Sequence, residues 1–146
     1  MRKKRDWQQL VEEGLVVPYE GAKPLAKPHV RTAWDCCVQA RAAYAGANYD
    51  EVDRALREAM LIAAESLCYY DELKPAEPTT LEFSERLCRE FWRDRFAEDL
   101  FARAFILGGM LPLPNERLPE EQGKLVRRSI SASTEWVALV ESNVYI

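Results

Sequence analysis

The alternation of apolar and polar positions is clearest between Asn48 and Leu73, NYDEVDRALREAMLIAAESLCYYDEL. Val52, Ala55, Leu56, Ala59, Ile62, Ala63, Leu67 and Tyr70 recur at three- and four-residue steps, the period of an amphipathic helix. Asp53, Arg54, Arg57, Glu58, Glu65 and Ser66 fall between them and define a wetter side. Asn48 is placed to cap the helix, with Glu51 completing a capping box. At about 1.5 Å per residue the segment reaches roughly 39 Å, enough for the central rod of a small bundle. Its alanines let a second helix approach closely and predict packing on more than one side.

The same period assigns the neighbouring elements. Asp6–Glu13 predicts a short helix, with Asp6 as its cap and Gly14 at the C′ position. Leu15–Pro28 contains Pro18, Gly21, Pro24 and Pro28, too many breakers for regular structure. Val16, Val17 and Tyr19 within it can strap an extended segment onto a bundle. His29–Ala45 predicts a helix with a seam of Val30, Trp34, Cys37, Val38, Arg41 and either Tyr44 or Ala45. The link Gly46-Ala47-Asn48 is so short that the two long helices must form an antiparallel hairpin.

Lys74–Pro78 closes the hairpin, and Thr79 or Thr80 caps a fourth helix, TLEFSERLCREFWRDRF, in which Thr79 and Glu82 fit a capping box. Leu81, Leu87, Cys88 and Phe91 are its inward set, and Glu82/Arg86, Glu85/Arg89 and Asp99/Arg103 are potential i,i+4 pairs. Phe96, Leu100, Ala104 and Leu107 form an offset stripe, which predicts a break near Asp94 before Gly108 and Gly109 end the helix. A last helix is expected from Pro119, at N1, to Asn143, with Val126, Ile130, Ser133, Val137 and Val140 inward. Period-two alternation is confined to Leu15–Tyr19, and no internal repeat is present. The expected fold is all-α: one domain over 1–146, an up-and-down antiparallel bundle of four to five helices over 29–146 preceded by a helix and strap over 1–28.

Composition narrows the function. The chain has 146 residues, 48% hydrophobic and 30% charged, which suits an ordinary globular domain. No apolar run approaches the roughly 20 residues that cross a bilayer, and the basic start MRKKRDWQQL has no apolar stretch behind it. A cytoplasmic location with no membrane association is the expectation. Net charge is −4, and four of the 20 basic residues lie together at Arg2, Lys3, Lys4 and Arg5. The acidic remainder offers nucleic acid no general attraction, and the basic tip reads as a solvated end. Cys36, Cys37, Cys68 and Cys88 all fall in helical patterns without Cys-x-x-Cys spacing, so buried reduced thiols are expected and zinc is not. No cofactor or metal is implied.

The order of pieces resembles the HEPN family of small helical proteins, within it the branch encoded beside minimal nucleotidyltransferases. DWQQLVEEGLVVPYEGAK resembles the leader of that branch, and AYAGANYDEVDRALREAMLIAAESLCYYDELKP its signature helix pair. TTLEFSERLCREF sits where the family has a helix after a variable loop, and GKLVRRSISASTEWVALV is similar to its closing helix. Many active members are metal-independent ribonucleases carrying Arg, four to six residues, then His, often with Tyr two residues on. In such a site histidine moves a proton and arginine steadies the phosphorane. The corresponding stretch here is RAFILGGML: Arg103 takes the Arg position, but Gly108 or Gly109 falls at the His position and Met110 near the Tyr. The resemblance therefore implies a non-nucleolytic relative, an interaction or small-ligand and nucleotide-binding domain. The resemblance further implies a nucleotidyltransferase-type protein as partner in a toxin–antitoxin or defence-type system. The offset apolar stripes, more than one face of a five-helix bundle needs, predict a homodimer.

Two residues remain candidates for catalysis. Arg103 can hold an anion or simply pair with Asp99. His29 is the sole histidine and lies outside the motif; as a displaced catalytic residue it needs a partner, and Asp35 is the only carboxylate close in sequence. Without one it is a surface residue at a helix start. Glu51, Glu58, Glu65 and Glu72, seven apart, make a carboxylate row that would bind metal only with histidine or a second row opposite. Trp92 and Phe101 lie off the main stripes and can form a patch for a partner. A metal-independent ribonuclease using His29, and a structural or adaptor protein, are the alternatives.

Overall fold

The computed structural model describes residues 5–92 and 119–144. Its elements are α1 (Gln8–Glu12), β1 (Val16–Pro18), a 3₁₀ turn at Lys23–Leu25, α2 (Ala26–Ala45), α3 (Tyr49–Tyr70), β2 (Leu73–Pro75), α4 (Leu81–Phe91) and α5 (Glu120–Val144). The described residues are predominantly helical, so the all-α expectation stands at that level. The expected break near Asp94, the Asp99/Arg103 pair, Phe101, Arg103 and Gly108-Gly109 lie outside the described residues.

Paired side chains give the helix directions. His29 and Tyr44 of α2 face Glu65 and Tyr49 of α3, so these helices run antiparallel as their short link requires. Trp34, Arg41 and Tyr44 meet Glu141, Thr134 and Arg127 of α5, so α5 is also antiparallel to α2. Ser84 of α4 and Trp136 of α5 both donate to the Met60 carbonyl of α3, each at 3.2 Å. α3 is thereby enclosed, and its buried set widens to include Met60, Ala64, Ser66 and Cys68 beside Val52, Ala55, Leu56, Ala59, Ala63 and Leu67. Ser66, expected on the wetter side, is fully buried, its hydroxyl satisfied by donating back to the Ile62 carbonyl. Tertiary enclosure, not polarity, sets its environment.

Several local expectations are corrected. α2 begins at Ala26 and carries Pro28 in its first turn, where the missing N–H would have had no intrahelical partner. Its seam is Ala26, Val30, Ala33, Cys36, Cys37 and Ala40, whereas Val38 is 60% exposed. Small residues occupy the seam because α2 and α3 approach closely, which leaves Trp34 and Tyr44 to flank α5. Asn48 makes no side-chain cap, and Glu51 pairs with Arg54 instead. Thr80 alone caps α4, accepting from the Phe83 N–H at 3.1 Å. Arg86 turns away from Glu82 toward Glu13, just past α1, and Glu90, while the Glu85/Arg89 pair forms at 3.7 Å. Pro119 precedes α5, and its carbonyl accepts the first helical bond from Gly123, so it stands one position ahead of N1.

The strap holds as expected and gains a partner that period-two patterning did not reveal. β1 pairs antiparallel with β2, in the register Val16↔Pro75, Val17↔Lys74 and Pro18↔Leu73. Asp6 accepts from the Gln8 N–H ahead of α1, and Gly14, at φ 73°, closes that helix with the Leu15 N–H reaching back to the Leu10 carbonyl. Arg5, expected at a solvated end, is instead half-buried: its Nε lies 2.8 Å from Asp71, which also accepts from the Trp7 indole at 2.6 Å. Trp92 likewise joins the interior. Rings of Trp7, Phe91, Trp92 and Trp136 contact in succession at centroid distances of 4.7, 6.3 and 5.6 Å, joining α1, α4 and α5. All four cysteines are free and buried, in keeping with the sequence reading.

Two stability predictions follow from these contacts. α2 ends in a Schellman turn, with Asn48 N–H on the Ala43 carbonyl and Ala47 N–H on the Tyr44 carbonyl. The left-handed residue is Ala47, at φ 56°, not Gly46. Ala47→Gly relieves that strain against a smaller unfolded-state entropy cost, so a net gain of about 0.5 kcal/mol is expected in urea unfolding. Ser133 of α5 is fully buried, and among the described residues its hydroxyl has no hydrogen-bond partner. Ser133→Ala should raise stability by about 1 kcal/mol, read as a higher urea midpoint with an unchanged slope.

Candidate functional site around His29

His29 lies one turn into α2 and Glu65 five residues before the end of α3, so the antiparallel hairpin brings them together. His29 Nε2 and Glu65 Oε1 are 3.1 Å apart, and the second carboxylate oxygen accepts from Thr79 Oγ at 2.8 Å. The partner that His29 lacked in sequence is thus Glu65, not Asp35. Thr79, free of the capping role expected of it, ties the segment ahead of α4 to the same carboxylate. Burial pushes Glu65 up, but the hydrogen bonds from His29 and Thr79 outweigh it and hold the carboxyl below the usual range. At neutral pH the ionised carboxylate only accepts, so His29 Nε2 carries the proton. In a neutral ring Nδ1 is then the acceptor.

Aromatic rings complete the cluster. The His29 ring sits 5.2 Å from that of Tyr69, which meets Tyr19 of the strap edge-on at 5.8 Å. Lys74 of β2 lies over the outer ring, 5.3 Å from the Tyr19 centroid. Burial raises the Tyr69 phenol above its ordinary value, and Glu65 adds to the effect. His29 and Glu65 side chains are 30% and 27% exposed, so the pair is open to solvent at one side. The strap, both long helices and the segment before α4 therefore converge on one histidine. Arg103, the other candidate, lies outside the described residues.

The carboxylate row divides. Glu51 and Glu58 pair with Arg54 on the solvent side, and Asp53 pairs with Arg57 at 3.0 Å. Glu65 alone meets a histidine, and Glu72 takes a left-handed conformation, φ 58°, at the end of α3. Among the described residues no group of three or more histidine, cysteine or acidic side chains is placed to hold a metal ion. Burial raises the thiols: Cys36, Cys68 and, to about 11, Cys37, which makes them poor nucleophiles. Among the described residues no helix is long and apolar enough to cross a membrane.

Sequence reasoning placed His29 at a helix start but missed Glu65 as its partner. The signal was present: each residue is a similar count from the Gly46-Ala47-Asn48 link, so an antiparallel hairpin sets them level. No family model, curated protein or solved structure matches the chain.

The Glu65 contacts carry a pH prediction. Its folded pKa lies below the unfolded value, so its contribution is present above about pH 4.5 and is lost as pH falls through the folded value. Glu65→Gln should therefore be less stable than wild type at pH 7, and the gap should close on acidification toward pH 3. Urea midpoints of both proteins across that range check it; a gap that stays constant with pH would rule out the carboxylate charge as the cause.

Proposed function

We propose that this chain is a non-catalytic HEPN-like interaction domain, a dimeric up-and-down bundle whose partner is a nucleotidyltransferase-type protein. The observation that carries the reading is the engagement of its sole histidine. His29 braces α2 to Glu65 of α3, and Glu65 in turn holds Thr79 ahead of α4. A metal-independent ribonuclease needs a histidine and an arginine converging on one phosphate. The salt bridge and ring contact of His29 among the described residues involve Glu65 and Tyr69 and no arginine. The acidic balance of the chain, with 24 acidic against 20 basic residues, also disfavours a phosphate backbone as ligand. The antiparallel hairpin flanked by α5, with α3 buried on two sides, supports this reading.

One observation favours the ribonuclease alternative. A carboxylate on Nε2 orients the imidazole and leaves Nδ1 as the acceptor a general base requires. The two readings diverge in a simple assay. Purified protein incubated with structured RNA in chelator should leave it intact, and His29→Gln should change nothing. Cleavage that His29→Gln reduces by about 100-fold or more would establish the ribonuclease instead. Co-expression with a nucleotidyltransferase encoded beside its gene should yield a co-purifying complex; a monomer that never retains the enzyme would remove the partnership.

A further inference from the structure

The turn after α1, the segment joining β2 to α4 and the first turn of α4 line a groove of about 250 Å³. Its apolar surfaces are Leu15, Pro75, Pro78 and Phe83, and its carboxylates are Glu13 and Glu77. The groove persists because the backbone is pinned on both sides. Ala76 N–H donates to the Leu15 carbonyl at 2.9 Å, continuing the β1–β2 ladder beyond its last pair. Gly14 forms one end in a left-handed turn, φ 73°, and no atom lies within 4 Å of where its Cβ would be. Thr80, also lining the groove, is fixed as the cap of α4.

The charges around this space are unequal. Glu13 is compensated by Arg86, whose guanidinium donates to both carboxylate oxygens and holds the carboxyl below its usual range. Glu77 makes no salt bridge among the described residues and is exposed. A trough that sets proline and phenylalanine surfaces beside polar ones, with Glu77 unpaired among the described residues at its rim, suits a long aliphatic stem ending in a cation. The volume lies below the roughly 300–1,000 Å³ of pockets that take whole small-molecule ligands, so a nucleotide is too large and a single side chain is the right scale.

We propose that this groove receives one arginine side chain of a protein partner, its stem against Pro75, Pro78 and Phe83 and its guanidinium on Glu77. Arginine fits better than lysine because its planar fork can bond a carboxylate with two donors and stack on an aromatic face. The inference rests on the interaction-domain reading above and names the chemistry of its contact surface.

Titration of the intact protein with N-acetyl-arginine amide, followed by two-dimensional amide NMR, tests it. Shifts confined to Gly14, Leu15, Ala76 and Glu77 are expected, with N-acetyl-glutamate amide inert and affinity falling as salt rises. Glu77→Gln should fold normally, since the side chain is exposed, and weaken arginine binding about fivefold. No shifts at the groove, or equal shifts with the glutamate probe, would overturn the proposal. So would spermidine binding there while the arginine probe does not. If Glu77→Gln retains a nucleotidyltransferase as tightly as wild type does, the groove is not the contact although the interaction reading stands. If wild type retains none, that reading fails, and the arginine titration still decides the groove.

Discussion

A single backbone carbonyl, that of Met60, is where the described fold is tied together. It sits in the middle of α3 and accepts from both the Ser84 hydroxyl of α4 and the Trp136 indole of α5. Both donors are fully buried, so each would carry a desolvation cost of about 1–3 kcal/mol if left unpaired. Together the two bonds constrain how α4 and α5 seat on α3. Seated this way, Trp136 presents its ring to Trp92, and the aromatic succession through Phe91 to Trp7 fixes α1 against the bundle. Polar satisfaction thus sets the helix register, and apolar burial supplies the bulk of the stabilisation.

The environment of His29 follows from the same placement. Once α2 and α3 are antiparallel at close range, His29 and Glu65 are level, and the short segment between β2 and α4 brings Thr79 to the second oxygen. A histidine that looks idle in sequence becomes the meeting point of four segments. The pairing braces the end of the hairpin against the strap through Tyr69 and Tyr19. The same logic makes Arg5 part of the architecture: with Trp7 it shares Asp71, at the end of α3, and its NH1 reaches Asn143 of α5 at 3.2 Å. Two donors on one carboxylate anchor the leader where composition alone suggested a solvated tip.

The groove between Gly14 and Thr80 has a different character. Between Gly14 and Thr80 the chain exposes prolines, a half-buried phenylalanine and the carboxylate of Glu77, held in shape by one ladder bond and a capped helix. Rigid backbone with unmatched charge is the kind of surface that contributes specificity in protein contacts, because little ordering entropy is lost when a partner arrives. The fold therefore presents two polar features with opposite status. At His29 the charges are satisfied internally; at Glu77 they are not.

Most of the helical layout was legible from residue order alone. Spacing located α1, α3 and α5 to within a few residues, and the three-residue link required the antiparallel hairpin because no longer excursion is sterically open to it. The inward stripe of Val126, Ile130, Ser133, Val137 and Val140 is buried throughout, since a regular helix repeats its exposure every turn. Side-chain partnerships were not legible. Asn48, Thr79 and Glu82 had the right local spacing for caps, yet Glu65 of α3 captured Thr79 and Arg54 captured Glu51. Val38 fitted the period of α2 but faces solvent, because the close approach to α3 selects alanine and cysteine at the seam. Local propensity sees a few residues along the chain, whereas hydrogen-bond partners are chosen among all groups that folding brings within about 3 Å. Period and link length decided the helices; three-dimensional proximity alone decided which of their polar groups meet.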